Sequence, residues 1–472
     1  MTIDAWHSTS TGPIASRLAA ALAALLTNAL QPAAAALDAA VPTRLDADLR
    51  CHLGVYALPG QRWLTITGAD GQPRALQYTL SGQRTSVLRE VANRSFAGDD
   101  LHIAFAPCAS AALSLTQGHR MEQGRKLALA ETTTHFTSQE FVLHGKLVMP
   151  EGGRAQALAV WIEGSNNNPS TDDAVWPYEL ARQGVAVFVY DKRGTGASAG
   201  APTSDFQSRA LDSAAAVREA QRLAPGIARV GVIGASQGGW VAPLVAAAMP
   251  LDFVVNAFAL AESPIAQDQA LVDLQLQESG ADAATRLEAR RLGAITERIV
   301  RSQLQEGLAE LEAFKVRHAG AAWLQAIQPR SYTGLFLKFD AQTIRTHGPA
   351  MAQGLDFAHE PLPVLAALRA PQLWLLAGAD RQAPSAGTQR HLRQLQAQGR
   401  DVDVLVFPQA DHGLLELKPT PEGTHTAYAA QQFELAASWI LHGRPAGSAR
   451  FATMPASSPN IPDRPVATRS TP

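Results

Sequence analysis

Cysteine, charge and long apolar runs are all scarce in this chain, and each scarcity excludes a class of protein. Charged residues make up 17% of the 472 positions, the formal net charge is -2 and no basic stripe occurs, so nucleic acid is not an expected partner. No stretch reaches the roughly 20 uninterrupted apolar residues that a membrane span needs. Hydrophobic residues still make up 46% of the chain, which is typical of a globular protein, and the length allows two or three domains.

The chain has 2 cysteines, Cys51 and Cys108, which lie in the same N-terminal region. In an oxidising compartment they could form a disulfide, and closing a loop of that size would contribute about 3–4 kcal/mol in the chain-entropy model. Two unrelated buried thiols are the alternative. Neither cysteine lies near a motif, so we expect no catalytic or metal-binding role for them.

Residues 1–40 have the order of regions typical of an export signal peptide. A polar start is followed by Arg17, an apolar run over residues 18–30 and small residues at 33–36. Basic residues before the apolar run are few, so an Ala-rich helix of a cytoplasmic protein is the alternative. The sequence predicts a periplasmic or secreted location, with a cytoplasmic location second.

Residues 45–120 predict a small β-rich accessory domain. Turn signals rich in Gly and Pro separate short strand-like runs, which favours an antiparallel sandwich or barrel. The expected strands are 53–58, 62–67, 75–80, 85–91, 101–106 and 112–115. Its histidines, His52, His102 and His119, are scattered and indicate no site.

Residues 121–445 predict an α/β domain with a doubly wound, mostly parallel sheet. After a strand pair at 126–134 and 140–148, fully apolar strands alternate with amphipathic helices, which is typical of a sheet covered on both faces. These strands are expected at 157–162, 185–190, 229–233, 253–257, 372–376 and 402–407, and the helices at 177–183, 205–223, 387–397 and 426–441.

The alternation stops between residues 261 and 361, where helices are expected at 264–278, 284–318 and 321–327. Ser263 is the candidate N-cap of the first, with Pro264 at its first helical position. This insertion is long enough to be a lid, and its dense charges are most simply a solvated face. Residues 446–472 are rich in Pro, Ser, Ala and Thr and predict a disordered tail.

Residues 229–240, RVGVIGASQGGW, carry the strongest chemical signal. An apolar strand, a G-x-S-x-G turn and an apolar helical run follow one another, which is the context of a nucleophile elbow. Gly234 and Gly238 leave room for the turn, and Ser236 is the candidate nucleophile. A glycine-rich turn of another α/β fold is the alternative.

A serine nucleophile needs a base, and the base needs a group that orients it. Two later strands end in loops with the right residue types: LLAGAD, which holds Asp380, and FPQADHG, which holds His412. We expect His412 to be the base and Asp380 its orienting acid, in the chain order Ser, Asp, His. Asp411 and Asp191 are lower-ranked alternatives to Asp380.

The oxyanion of an acyl transfer needs two N–H donors. The backbone of Gln237 is one candidate, because it follows the nucleophile. Ser165 is the other, since the loop EGSNNN follows an apolar strand and its Gly164 permits close approach. The three asparagines of this loop could instead simply cap it.

Together these residues resemble the α/β-hydrolase superfamily, and most of all bacterial esterases of its dienelactone-hydrolase and prolyl-oligopeptidase-like branch. The matching pieces are HGKLVMP, EGSNNN, YDKRGTGAS, GASQGG, LLAGAD and ADHG, within residues 132–441. Glu163 departs from the resemblance, because many relatives have His-Gly where this chain has Glu-Gly. A carboxylate there would disfavour anionic substrates.

The expected function is hydrolysis of a carboxylic ester through an acyl-Ser236 intermediate, with no metal or organic cofactor and a small-molecule substrate. A serine peptidase or amidase of the same fold, acting on a short peptide or amide, is the second expectation. A fold kept only as a binding module is the third. Nothing in the sequence indicates the oligomeric state.

Overall fold

The computed structural model describes residues 43–420 and 423–455, so the expected export signal in residues 1–40 lies outside the described residues. Within these ranges the chain forms a β-barrel, an α/β sheet domain and a helical insertion. None of the described helices combines the length and the apolar character needed to cross a membrane.

The N-terminal region is a closed antiparallel barrel, preceded by the short helix α1 (Ala47–Arg50). Its strands run in the order β4-β3-β2-β1-β8-β7-β6-β5, and β5 pairs with β4 to close the ring. They are β1 (Gly54–Leu58), β2 (Arg62–Ala69), β3 (Gln72–Leu80), β4 (Arg84–Ala92), β5 (Ser95–Gly98), β6 (Leu101–Phe105), β7 (Ala112–Gln117) and β8 (Arg120–Lys126). Alternate side chains such as Leu64, Ile66 and Leu76 fill the interior.

Two barrel strands, β5 and β8, were not expected from the sequence. β5 spans 4 residues between turns, and β8, with the sequence RMEQGRK, has no alternation of apolar side chains. β8 is held in place by its two neighbours in the barrel. β7 precedes it across a turn, and β1 lies far from it in sequence. The barrel therefore runs to Lys126.

A disulfide joins Cys51 and Cys108, whose Cα atoms lie 5.8 Å apart. The bond links the segment before β1 to the turn after β6, across 57 residues of sequence. Of the two alternatives that the sequence left open, a disulfide or two unrelated thiols, the structure has the disulfide.

The second sheet has the predicted α/β architecture. Its main strands lie in the order β16-β15-β14-β13-β11-β12-β10-β9, and all run in the same direction except β10, which is antiparallel to both of its neighbours, β9 and β12. They are β9 (Ala130–Ser138), β10 (Phe141–Met149), β11 (Ala157–Ile162), β12 (Val185–Tyr190), β13 (Arg229–Ala235), β14 (Phe253–Ala257), β15 (Gln372–Ala377) and β16 (Val402–Phe407). Residues of β11 to β15 are buried on both faces, apart from Arg229 at the start of β13.

Helices cover both faces of this sheet, and successive residues of β11 enter opposite cores. One face packs against α4 (Phe206–Leu223), α5 (Gly238–Ala248) and α13 (Ala386–Ala397). The other packs against α3 (Trp176–Ala181) and α14 (Gln432–His442), while the short α2 (Ser170–Asp173) precedes α3. The core is thus divided into two layers around a buried sheet.

The segment that follows residue 412 differs from the expected helix at 426–441. Strands β17 (Leu415–Thr420) and β18 (Gly423–Tyr428) form a hairpin, and helix α14 begins only at Gln432. The hairpin joins the barrel through β4, where Tyr428 N–H donates to Gln83 O at 2.8 Å. Local sequence patterns do not predict this pairing, because β18 and β4 lie far apart in the chain.

The expected tail also holds regular structure, because β19 (Phe451–Thr453) pairs with β16 at the edge of the sheet. The Phe451 ring packs under the guanidinium of Arg393. The prediction of disorder is wrong for this stretch, and residues 456–472 lie outside the described ones.

The insertion forms a helical lid with its own apolar core. Its helices are α6 (Pro264–Glu278), α7 (Ala283–Arg301), α8 (Leu308–Arg317), α9 (Ala322–Ala326), α10 (Tyr332–Lys338), α11 (Ala341–Ala352) and α12 (Pro361–Ala367). Ser263 caps α6 as expected, accepting from Ala266 N–H at 3.3 Å. The single helix expected at 284–318 is wrong: it breaks at residues 303–307, where Gln303, Leu304 and Gly307 have positive φ angles.

Candidate active site

Ser236 occupies a sharp turn between β13 and α5. Its φ of 51° lies in the left-handed region, a strained conformation typical of a nucleophile elbow. A side chain at Gly234 would place its Cβ 2.4 Å from Gly238 O, and one at Gly238 would place its Cβ 2.2 Å from Ile162 O. Glycine is therefore required at both positions for the elbow to pass between its neighbours.

His412 lies in the loop after β16, with its ring between a serine and an aspartate. Its Nε2 is 2.9 Å from Ser236 Oγ, and its Nδ1 is 2.9 Å from Asp380 Oδ2. Phe258 packs against the ring edge to face, with centroids 5.3 Å apart. Burial lowers the pKa of His412, but the charge and hydrogen bond of Asp380 and the charge of Asp411 outweigh it and raise the pKa above 6.5.

Asp380 follows β15 and is almost fully buried. One carboxylate oxygen faces His412, and the other accepts hydrogen bonds from the backbone N–H groups of Gln382 at 2.9 Å and Ala383 at 2.6 Å. These bonds fix the carboxylate, so its orientation is set by its own loop rather than by the histidine.

The two alternative acids have other partners. Asp411 Oδ1 accepts from the backbone N–H groups of Arg381 at 2.8 Å and of His412 at 2.7 Å, so this side chain braces the loop without facing the imidazole nitrogens. Asp191 is fully buried beneath a different histidine, His144, whose Nδ1 lies 3.2 Å away. Of the three candidate acids, the structure therefore places only Asp380 against Nδ1 of His412.

The loop after β11 lies directly beside the elbow. A Cβ added to Gly164 would lie 3.3 Å from Ser236 Cβ and 3.8 Å from its Oγ, so the loop and the nucleophile are in close contact. Ser165, the expected oxyanion donor on this loop, is buried. On the other side, the backbone N–H of Gln237 has no acceptor among the described residues.

Glu163, which stands where many relatives have histidine, is turned into its own loop. Its carboxylate accepts from Gly164 N–H at 2.9 Å, from Trp161 Nε1 at 3.0 Å, from Asn166 Nδ2 at 3.2 Å and from Ser170 Oγ at 3.3 Å. The carboxylate thus shapes the loop, and its lone pairs are occupied by protein donors.

Two buried cations, Lys192 and Arg209, hold the carbonyl groups of this loop, and sequence reasoning missed both. Lys192 lies within the stretch YDKRGTGAS. Arg209 lies on α4 between Phe206 and Ser213, at spacings that place all three on the buried face. A charged residue on a helix face made mainly of small and apolar residues is the signal that could have found it.

Cavities connect the site with the lid. One borders Ser236, Trp240, Phe258 and Gln267. A second shares Trp240 and Gln267 with the first and extends to Leu271, Tyr332 and Phe357 on the lid side. Its lining is mainly apolar.

Asp268 is a buried acid in the wall of the second cavity. It accepts from Thr333 N–H at 3.1 Å and Thr333 Oγ1 at 2.6 Å. Burial raises the pKa of Asp268 to about 7, although these hydrogen bonds oppose the rise.

Among the described residues, one group of side chains is close enough to share a metal ion, namely Cys51, His52 and Cys108. The two sulfur atoms are joined in the disulfide and so are not thiolate ligands. The group belongs to the barrel rather than to the loops around Ser236.

Known structures resemble the chain only distantly. An acylaminoacyl peptidase of Pyrococcus horikoshii aligns with a TM-score of 0.40 and 15% identity, covering 72% of this chain and 50% of that one. An esterase of Pyrococcus furiosus has a TM-score of 0.39 and 15% identity, covering 60% and 84%. Est1E of Butyrivibrio proteoclasticus, solved with ferulic acid, has a TM-score of 0.38 and 14% identity, covering 65% and 96%.

The chain spans about half the length of the first of these proteins, and none of the three is similar enough to indicate a substrate. No curated protein matches the sequence. The model of the "Alpha/beta hydrolase family" matches residues 141–424, more than half of the chain and a range that contains Ser236, Asp380 and His412. Together with the parallel sheet and the strained elbow, this match shows that the chain belongs to the α/β-hydrolase family.

Proposed function

We propose that this protein is a serine hydrolase that cleaves carboxylic esters through an acyl intermediate on Ser236. The observation that carries the proposal is the chain of contacts from Asp380 to His412 to Ser236, with both distances at 2.9 Å. Nucleophile, base and orienting acid in this arrangement are what acyl transfer requires.

In acylation, His412 Nε2 takes the proton of Ser236 Oγ as that oxygen attacks the ester carbonyl carbon. The charge on Asp380 stabilises the imidazolium that forms and keeps Nδ1 protonated. The N–H groups of Gln237 and Ser165 hold the resulting oxyanion. When the C–O bond to the leaving group breaks, His412 returns the proton to the departing alcohol.

Deacylation repeats these steps with water as the nucleophile. His412 takes a proton from the water as its oxygen attacks the acyl carbon. The Ser236 C–O bond then breaks, the proton passes to Oγ, and the carboxylic acid leaves.

The mainly apolar second cavity supports esters with an apolar group as substrates. A chain that leaves Ser236 between Trp240 and Gln267 would enter space lined by Leu271, Tyr332 and Phe357. Burial of each methylene there would contribute about 0.8 kcal/mol. Glu163 adds no free carboxylate to the site, because its oxygens already accept hydrogen bonds.

A fluorophosphonate probe tests the nucleophile directly. Wild-type protein should be labelled once, Ser236→Ala should not be labelled, and its ester turnover should fall by about 10⁴–10⁶-fold. Ser302→Ala is the matched control, because Ser302 is a lid serine that accepts from Glu306 N–H. Equal labelling of wild type and Ser236→Ala would refute the proposal.

A substrate panel tests the chemistry. p-Nitrophenyl esters should be hydrolysed faster than aminoacyl anilides. Among the esters, those with acyl chains longer than acetyl should be hydrolysed faster than the acetate. Faster anilide cleavage would assign the protein to the peptidases or amidases, and labelling without turnover of either class would favour a binding role.

We also propose that the protein works outside the cytoplasm. The disulfide between Cys51 and Cys108 supports this location, because such bonds persist mainly in oxidising compartments. Cell fractionation followed by an ester assay tests it, and activity found only with cytoplasmic markers would contradict it.

A further inference from the structure

Two positively charged side chains are buried beneath the loop of residues 163–166, beside the elbow. Arg209 on α4 is 3% exposed and Lys192, just after β12, is 8% exposed. Within the described part of the chain, neither forms a salt bridge with a carboxylate. Burying a cation without an ionic partner is costly, so the arrangement calls for a reason.

Backbone carbonyl groups of the loop take the place of that partner. Lys192 Nζ donates to Gly164 O at 2.8 Å and also to Asn166 O. Arg209 donates to Gly164 O at 3.2 Å and to Glu163 O. The Gly164 carbonyl is therefore held by both cations at once.

Holding this carbonyl also sets the direction of an N–H group. The described chain contains no cis peptide bond, and in a trans peptide the C=O of one residue and the N–H of the next point in opposite directions. Fixing Gly164 O toward the cations therefore turns the N–H of Ser165 away from them. A Cβ added to Gly164 would lie 3.3 Å from Ser236 Cβ, so this peptide unit lies beside the nucleophile.

Arg209 also reaches the second segment of the site. Its guanidinium donates to Oε1 of Gln237, whose backbone supplies the other proposed oxyanion donor. One rigid, planar group thus contacts both segments, which fixes their separation.

We propose that Arg209 and Lys192 are positioning residues that orient the Gly164–Ser165 peptide, and its spacing from Gln237, for binding of the oxyanion. This inference rests on the proposed function. The positive charge of the Arg209 guanidinium also favours the negative charge that develops on the carbonyl oxygen in the transition state. Burial lowers the pKa of both groups, that of Lys192 well below its usual value.

The test compares Arg209→Met and Lys192→Met with wild type in the full-length protein. Removing a whole oxyanion donor costs about 10²–10³-fold in kcat, so loss of a group that only orients one should cost about 10–100-fold, with KM nearly unchanged. A trifluoromethyl ketone supplies a readout that general destabilisation would not move. Ser236 Oγ adds to its carbonyl carbon, the Oγ proton passes to His412, and the oxyanion occupies the proposed hole. Its Ki should rise in parallel with the fall in kcat/KM.

Arg193→Met is the matched control. Arg193 neighbours Lys192 and is also largely buried, but it pairs with Asp212 at 2.7 Å and with Gln139 at 2.8 Å instead of the loop. It should lower thermal stability while leaving kcat and Ki unchanged. Equal losses of kcat in Arg193→Met and Arg209→Met would overturn the proposal, as would a folded Arg209→Met with wild-type kcat and Ki.

If the methionine variants do not fold, Arg209→Lys tests the positioning role of Arg209 instead. It keeps the charge but cannot contact Glu163, Gly164 and Gln237 together, so kcat should still fall at least 10-fold. Wild-type kinetics in Arg209→Lys would then overturn the proposal. Turnover that does not depend on Ser236 would instead refute the proposed function, so the two failures are distinguishable.

Discussion

Two histidine–aspartate pairs occur among the described residues of this protein, and only one of them faces a serine hydroxyl. His412 lies 2.9 Å from Asp380 and 2.9 Å from Ser236 Oγ. His144 lies 3.2 Å from Asp191 and packs against another histidine ring, His135, which is tilted relative to it, with centroids 5.2 Å apart. The same residue types are therefore used in two environments.

The difference lies in what each aspartate holds. Asp380 accepts from its own loop and from His412, which leaves Nε2 of that ring for the serine. Besides His144, Asp191 accepts from Thr171 N–H at 2.9 Å, from Thr171 Oγ1 at 2.8 Å and from Ala197 N–H at 3.0 Å, so it joins three separate segments. Position at the carboxyl end of a strand beside the elbow, and not the pairing itself, distinguishes a candidate catalytic pair from a structural one.

The largest difference between the two histidine–aspartate pairs should appear when the imidazole of His412 or of His144 is removed. His412→Ala should lower kcat for a p-nitrophenyl ester by about 10⁴–10⁶-fold with little change in stability, because Ser236 loses its base. His144→Ala should leave kcat within a few-fold but lower the free energy of unfolding by about 1–3 kcal/mol, since buried hydrogen-bonding groups lose a partner. Steady-state kinetics and urea unfolding measure both. Loss of turnover in folded His144→Ala would break the contrast.

A smaller contrast is expected for the two acids. Asp380→Asn should reduce kcat by about 10³–10⁴-fold, because an amide cannot stabilise the imidazolium. Asp191→Asn should instead destabilise the fold by about 2–4 kcal/mol, because its carboxylate accepts several buried hydrogen bonds.

The stability loss in Asp191→Asn should depend on pH. Hydrogen bonds from His144, Ala197 and Thr171 lower the pKa of Asp191 below 3.8, although burial acts in the opposite direction. A lowered folded-state pKa contributes stability that is present above the unfolded value and is lost as pH falls through the folded value. The gap between wild type and Asp191→Asn should therefore shrink in acid. A gap that stays constant from neutral pH to pH values below the folded pKa would contradict this reading.

The smallest effect concerns the pH profile of turnover. The base must be neutral, so kcat/KM should fall as pH drops through the raised pKa of His412, which lies above 6.5. Asp411→Asn removes one charge that raises this pKa and should move the acid limb to lower pH, whereas His144→Ala should leave it in place. A limb that moves in His144→Ala but not in Asp411→Asn would reverse the assignment of the two histidines.

Local patterns in the sequence were sufficient for the α/β part of the fold. Fully apolar strands alternating with helices predicted a covered parallel sheet, and the strand, turn and helix around Ser236 predicted the elbow. Each signal depends on residues close together in the chain. For the same reason the sequence could place Asp380 and His412 at strand ends, where the sheet topology brings them beside Ser236.

Contacts between distant residues decided the rest. The closure of the barrel depends on pairing of β8 with β1, and the hairpin after His412 depends on docking to β4. What distinguishes Asp191 from Asp380 is the histidine that each contacts: Asp191 meets His144, and Asp380 meets His412. Lys192 and Arg209 became part of the site because folding buries them under the loop of residues 163–166.

The sequence by itself thus determined the alternating strands and helices of the parallel sheet, the sharp serine turn and the types of its expected partners, because these follow from hydrophobic periodicity and turn chemistry. Only the tertiary structure decided which aspartate meets which histidine and which cations support the oxyanion loop. Those choices depend on distances of a few ångström between segments far apart in the chain, and no local pattern encodes them.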